Sequence, residues 1–342
     1  MSAPMREMTP SSAVEMREIT LGEAVREAIA EEMRRDPTVF LMGEEVGAAG
    51  GTFKTFEGLF AEFGPERVVD TAIAENGYVG LGVGAAMTGM RPIIDLMFGD
   101  FITNAMDQVV NQAAKMYYMT GGQVTVPLTI HTVLGAGRRS AAQHSQSLHA
   151  WFAHIPGLKV VVASTPYDAK GLLKSAIRYN GPVICYEDKM MYKLKGLVPA
   201  EEYLIPLGVA DVKRAGTDLS VVATSSMVQV ALEAAEQLAK DGISLEVVDP
   251  RTVSPLDMET IAASVSKTHR AIVMDEGYQF FGTTAEIASQ IADQCFDYLD
   301  APVKRYGAMD VPVPFSPALE DLTIPNVEGL VKLVHELMEG AR

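Results

Sequence analysis

The chain has 342 residues, 48% hydrophobic and 21% charged, with a formal net charge of −16. That length exceeds one ordinary core and suits two domains of a soluble globular protein. The acid excess argues against nucleic acid and against an anionic membrane surface, which both select clustered Lys and Arg, and permits a basic protein partner.

Residues 1–15 mix Arg6 with Glu7 and Glu15 and lack an apolar centre, so they read as a disordered tail, neither signal nor transit peptide. Residues 19–35 place Leu21, Ala24, Val25, Ala28, Ile29 and Met33 on one helical face. Thr20 is the expected N-cap, and Glu23 completes a capping box. Strands are expected at 39–42, 91–97, 126–133, 159–163 and 183–186, and a helix at 105–118. Thr165-Pro166-Tyr167-Asp168 has the form of a helix start, with Thr capping, Pro in the first turn and Asp accepting free amides; Ser254-Pro255-Leu256-Asp257 repeats it. Residues 196–213 lose helical period and collect Gly196, Pro199 and Pro206, which marks a linker between domains at 16–195 and 214–342. A second alternating set follows: strands at 219–223, 244–248 and 271–274, helices at 226–241, 256–265 and 284–295. Strands alternating with helices imply an α/β fold of two domains, each a mainly parallel sheet flanked by helices.

Cys185 and Cys295 sit far apart in apolar stretches with no Cys/His cluster. They read as buried reduced thiols, which fits the cytoplasm and argues against structural zinc. The longest apolar run, 78–90, is too short and too glycine-rich to span a bilayer.

Few residues carry a chemical signal. Asp70-Thr-Ala-Ile-Ala-Glu-Asn-Gly-Tyr78 places Glu75 at an apolar strand end, where a lone carboxylate is costly to bury unless it has a task. The bland alternative is a solvated acid or a cap for the small-residue segment that follows. Gly80-Leu-Gly82-Val-Gly84-Ala85 loosely matches a dinucleotide loop, but no apolar strand immediately precedes it. A small-residue helix packed closely on a neighbour accounts for it better. His144, after Gly135-Ala-Gly137, lies in a strand-end loop of the kind that lines α/β active sites; a structural histidine is an equal reading. His131 reads as strand packing. Of Phe98 and Phe101, either suits stacking on an aromatic ring, and Phe98 reads better as core. No GxSxG, P-loop or HExxH pattern occurs, so hydrolysis and phosphoryl transfer gain no support.

Taken together, Gly43-Glu-Glu-Val46, Ala74-Glu-Asn-Gly-Tyr-Val-Gly80, Asp107-Gln-Val-Val-Asn-Gln-Ala-Ala-Lys115, Ala142-Gln-His-Ser-Gln146, Pro156-Gly-Leu-Lys-Val160, Asp249-Pro-Arg-Thr-Val-Ser-Pro-Leu-Asp257 and Pro314-Phe-Ser-Pro317 resemble the beta subunits of thiamine-diphosphate-dependent 2-oxo acid dehydrogenase decarboxylase components, nearest the pyruvate and acetoin branch. The resemblance runs from about Met16 to about Val331, with many motifs in order. It implies a pyrimidine-binding domain followed by a transketolase C-terminal-like domain. It places Glu75 on the cofactor's aminopyrimidine nitrogen, Phe101 against its ring and His144 on the substrate carboxylate or in proton management. Glu44 falls at the cofactor, and Glu44 with Asp107 on a proton path between two sites. Backbone carbonyls of Leu128, Ala176 and Tyr179 match a monovalent-cation (K+) site.

The family's Gly-Asp-Gly diphosphate motif is missing from this chain. The resemblance therefore implies half an active site: an alpha subunit holds Mg2+ and the diphosphate, in a two-alpha, two-beta heterotetramer. It further implies transfer of the acyl group to lipoyl of an acyltransferase core, whose small basic subunit-binding domain is expected to dock on acids such as Glu320, Asp321 and Glu328. The alternatives are a branched-chain 2-oxo acid dehydrogenase beta subunit, a transketolase-like sugar enzyme, and a non-catalytic scaffold.

Overall fold

The computed structural model describes residues 15–339; the tail expected at 1–15 lies outside them apart from Glu15. The described residues open with β1 (Met16–Thr20) and α1 (Leu21–Arg35), joined by the full capping box between Thr20 and Glu23. The first half continues through β2 (Val39–Gly43), α2 (Leu59–Phe63), β3 (Val68–Asp70), α3 (Glu75–Met87), β4 (Arg91–Asp95), α4 (Met116–Met119), β5 (Thr129–Leu134), α5 (His149–Ala153), β6 (Lys159–Val162), α6 (Pro166–Arg178), β7 (Val183–Asp188) and β8 (Lys195–Pro199). The second comprises β9 (Asp211–Arg214), β10 (Leu219–Ala223), α7 (Ser226–Leu238), β11 (Leu245–Asp249), β12 (Thr252–Ser254), α8 (Met258–Thr268), β13 (Ala271–Tyr278), α9 (Thr283–Gln294), β14 (Lys304–Ala308), α10 (Pro317–Glu320) and α11 (Val327–Glu339).

Two sheets carry the fold, ordered β12-β6-β7-β5-β4-β2-β3 and β14-β13-β10-β11-β9. Both are parallel except where β12 meets β6 and β9 meets β11. Central strands such as β5, β7, β10 and β11 are buried along their whole length. Helices cover both faces, the condition under which parallel sheets are stable. This is the expected fold class. The residues between the halves do not form a loose tether: β8 pairs with β1, Ile205 buries against α6, and β9 enters the second sheet.

Three local expectations need correction. The segment 105–118 is not one α-helix; a 3-10 turn (Gly99–Ala105) leads into a π-helix (Gln108–Ala113) and then α4. At its end Gly157 passes so close that an added Cβ would lie 2.1 Å from the Ala114 carbonyl. Ser254 ends a strand rather than capping a helix; Asp257 caps α8 by accepting the Thr260 amide. Asp168 does not spend its carboxylate on helix amides. Thr165 caps α6, while buried Asp168 takes Arg251 at 2.7 Å and Lys213 at 2.5 Å from the second half. Two buried cations had no local signal at all. Lys170 and Lys174 run under α6 to Glu27 and Glu31 of α1, at 2.6–2.8 Å.

Candidate active site

In a parallel α/β sheet, ligands bind beyond the carboxyl ends of the strands. Here the loops after β2, β3, β4 and β5 converge on one cleft of about 710 Å³. Its walls include Glu44, Glu75, Met97, Phe98, Phe101 and His144. Four residues singled out from sequence therefore meet in one place.

The turn after β2 aims Glu44 inward. Gly43 lies against Asp95, where a Cβ would come 2.7 Å from the Asp95 carbonyl, and Glu45 takes φ +56°. Glu44 is 8% exposed, and its Oε1 is buried without a hydrogen-bond partner. Burial lifts its carboxyl above the usual range, and the neighbouring Glu75 charge adds to this. Glu75, 7% exposed, is the first residue of α3 rather than a strand-end residue. The small residues after it form that helix, and Gly82 packs where a Cβ would sit 2.8 Å from Ile94. The Gly80–Ala85 pattern is thus helix packing, not a dinucleotide loop.

His144 is half-buried between Phe98 and Phe101, edge to face, with ring centroids 5.1 and 5.2 Å away. Phe98 is not core. It is a half-buried cleft wall that also meets Phe53 at 5.6 Å. Lys189 donates to the His144 carbonyl from below. The loop that carries His144 has left-handed backbone at Gly135, Gly137, Arg139 and Ala141. Such geometry at the two non-glycine residues costs on the order of 1 kcal/mol each and persists only under outside constraint. An adjoining groove of about 550 Å³, sharing Thr52 with the cleft, is lined by Arg26, Lys54, Arg138, Lys189 and Lys193.

Beneath the cleft, His131 is not simple strand packing. Its Nδ1 lies 2.7 Å from Asp95 and its Nε2 2.8 Å from Glu187, on the two neighbouring strands. All three are buried. Burial alone would lower the His131 pKa, but Glu187 and Asp95 overcome it and raise it to about 10, so the ring is an imidazolium at neutral pH. The signal was faint: acids on β4 and β7 flanking a strand histidine.

Asp107 stands apart. It is exposed, its carboxylate accepts from Asn111 at 2.7 Å, and it does not line the cleft. The carbonyls of Leu128, Ala176 and Tyr179 accept from Val183 N, Tyr179 N and the Arg91 guanidinium respectively. Glu320 is not available as a docking acid, because it is fully buried and bonded to Gly137 N and Arg139. Asp321 is exposed but paired with Arg139, and Glu328 is exposed. Among the described residues no group of three His, Cys, Asp or Glu is placed to hold a metal ion, and no helix is long and apolar enough to cross a membrane.

The family model for the transketolase pyrimidine binding domain matches residues 17–195, and that for the transketolase C-terminal domain matches 208–330. The chain is 50% identical over 334 residues to the acetoin:2,6-dichlorophenolindophenol oxidoreductase subunit beta of Bacillus subtilis, covering 94% of this chain and 98% of that one. It is 46% identical over 324 residues to the pyruvate dehydrogenase E1 component subunit beta of Rhizobium meliloti (94% and 70%). It is also 46% identical over 319 residues to the 2-oxoisovalerate dehydrogenase subunit beta of Bacillus subtilis (93% and 98%). A solved structure titled split gene transketolase, inactive beta4 tetramer, shares the fold with a TM-score of 0.75 at 24% identity, over 95% of this chain and 99% of that one. The chain belongs to the family of these dehydrogenase and oxidoreductase beta subunits, built from transketolase pyrimidine-binding and C-terminal domains.

Proposed function

We propose that this chain is the beta subunit of a thiamine-diphosphate-dependent pyruvate or acetoin dehydrogenase component, with the branched-chain 2-oxo acid enzyme as the related alternative. It is an oxidoreductase of the type acting on an oxo group with a disulfide acceptor, active with an alpha subunit in a two-alpha, two-beta assembly. The observation that carries this reading is the convergence of Glu75, Glu44, Phe101 and His144 on one cleft. The orphaned Glu44 oxygen fits a ligand with an exocyclic N–H donor, as an aminopyrimidine has.

Thiamine diphosphate supplies a carbon nucleophile and an electron sink for the bond that breaks. This chain's part is protonic and positional. Glu75 would hold a proton at the pyrimidine nitrogen, and Glu44 stands beside it with its own carboxyl lifted above the usual range by burial. Phe101 fixes the ring plane, and His144 between two phenyl rings presents imidazole nitrogen to the substrate. The cationic groove next door favours an anionic 2-oxo acid over water. Mg2+ and the diphosphate are assigned to the alpha subunit because this sequence lacks the family's Gly-Asp-Gly. A monovalent cation near Tyr179, a cytoplasmic setting and docking to a lipoyl acyltransferase core through acids other than Glu320 complete the proposal.

The test is co-expression with the alpha subunit, followed by turnover of pyruvate, acetoin and a branched-chain 2-oxo acid with an artificial electron acceptor. Glu75→Gln should cost about 100-fold or more in kcat while assembly is kept. Undiminished turnover in an assembled Glu75→Gln enzyme would overturn the reading.

A further inference from the structure

Among the described residues none later in sequence than His144 lines the cleft, so the described part of the second half does not form its walls. It contributes instead to where the His144 loop lies. Ala136 N donates to Glu276 Oε1 at 2.6 Å, and Gly137 N donates to Glu320 Oε1 at 2.7 Å. The other Glu320 oxygen accepts from Arg139 at 2.8 Å, and Arg139 also reaches Asp321 at 2.6 Å. After the loop, His149 Nε2 meets Asp275 at 2.9 Å. Carboxylates from β13 and α10 thus grip the loop on both sides of His144. Gly135 threads between Asp188 at the end of β7 and Glu276 of β13, where a Cβ would lie 2.9 Å and 3.0 Å from them.

Glu320 is the decisive member. It is fully buried at the end of a four-residue helix, and both its oxygens serve the loop. The segment it holds includes Arg139 and Ala141 in left-handed backbone, a shape the loop does not favour by itself. Between Gly137 and Gln146, whose amide donates to Asp100 at 3.1 Å, the outside hydrogen bonds among the described residues are those of Arg139 and that of Lys189 to the His144 carbonyl, while Arg138 stacks on Phe53 and the His144 ring lies between Phe98 and Phe101. We propose that Glu320, acting through Gly137 and Arg139, is a positioning residue for His144: the C-terminal domain sets the reach of the catalytic histidine without touching the cleft. This rests on the reading of His144 as a substrate-facing group.

The test uses the full chain assembled with its alpha subunit. Glu320→Ala removes both contacts, whereas Glu320→Gln keeps an acceptor for the Gly137 amide. Amide hydrogen exchange across residues 136–146, read without cofactor or substrate, should quicken about 10-fold or more in Glu320→Ala and recover most of the way in Glu320→Gln, as loss of charge-assisted hydrogen bonds dictates. In the loaded enzyme kcat/KM for the 2-oxo acid or acetoin should fall about 10- to 100-fold, with thiamine diphosphate affinity within about twofold. Arg139→Gln, on a partly exposed side chain, gives a milder version of the same pattern and covers the case in which Glu320→Ala does not fold. Unchanged exchange in the loop, or equal losses of cofactor affinity and turnover, would overturn the proposal. Glu75→Gln run in parallel separates the two ideas: its full activity would sink the functional reading, while the exchange data judge the loop by themselves.

Discussion

Replacing His131 by Phe removes the positive member of a buried triad and leaves two carboxylates facing each other. Asp95 and Glu187 stay where water cannot reach them, on strands flanking β5. Breaking such a pair from one side costs roughly 3–5 kcal/mol. The rise of the His131 pKa from 6.5 to about 10 leads to a similar figure, about 5 kcal/mol of preference for the charged ring. Trp151 is the only tryptophan and lies in α5 of the same half, so its fluorescence follows unfolding of the domain concerned. At pH 7 the urea midpoint should drop by about 1–2 M. The sign with pH follows from proton counting. The folded state binds the extra proton between the unfolded histidine value, near 6.5, and about 10. The stabilisation is complete below that window and is lost as pH rises through it. The gap between wild type and His131→Phe should therefore narrow from pH 7 to 10. A loss below about 1 kcal/mol, or a gap that does not change with pH, would refute the charged triad. Adding Asp95→Asn and Glu187→Gln to His131→Phe should restore much of the loss.

Glu276 is pushed well above the usual carboxylate range by burial and by Asp188. Folding then takes up a proton above the unfolded Glu value, near 4.5, so stability falls as pH rises from there; Glu276→Gln should flatten that slope in melts between pH 5 and 8, and an unaltered slope would show that Glu276 is ionised when folded. Gly157 combines φ +104° with a Cβ position 2.1 Å from the Ala114 carbonyl, so Gly157→Ala should lower stability by about 2 kcal/mol or more in chemical denaturation. Thr20→Ala removes the cap that accepts the Glu23 amide at 3.2 Å and should cost about 1 kcal/mol by the same measurement. A neutral result at either position would mean that the local backbone relaxes.

Local chemistry made some of this legible in advance. The Thr20–Glu23 box, the Thr165 cap and the apolar runs of β10, β11 and β13 each depend on neighbours a few residues away, and each forms close to where its pattern lies. The alternation of strand and helix sufficed for two mainly parallel sheets, because only buried parallel strands carry such continuous apolar runs. Strand order was not legible. Nor was the passage of β12 from the second half into the first sheet, since pairing partners so remote leave no local period.

The same division holds at the site. Glu75 stands out in sequence because a lone carboxylate among small and apolar residues is rare, and His144 because it follows a strand in a glycine-rich loop, whereas Glu44 was named only through the family resemblance. That they face one cleft, that Phe98 belongs to its wall, that His131 carries charge and that Glu320 points inward to the His144 loop were decided by tertiary structure. The physical reason is common to all four. Whether a charge is buried, and what it then does, depends on partners contributed by distant segments, and desolvation and pairing energies arise only once the fold has brought those segments together.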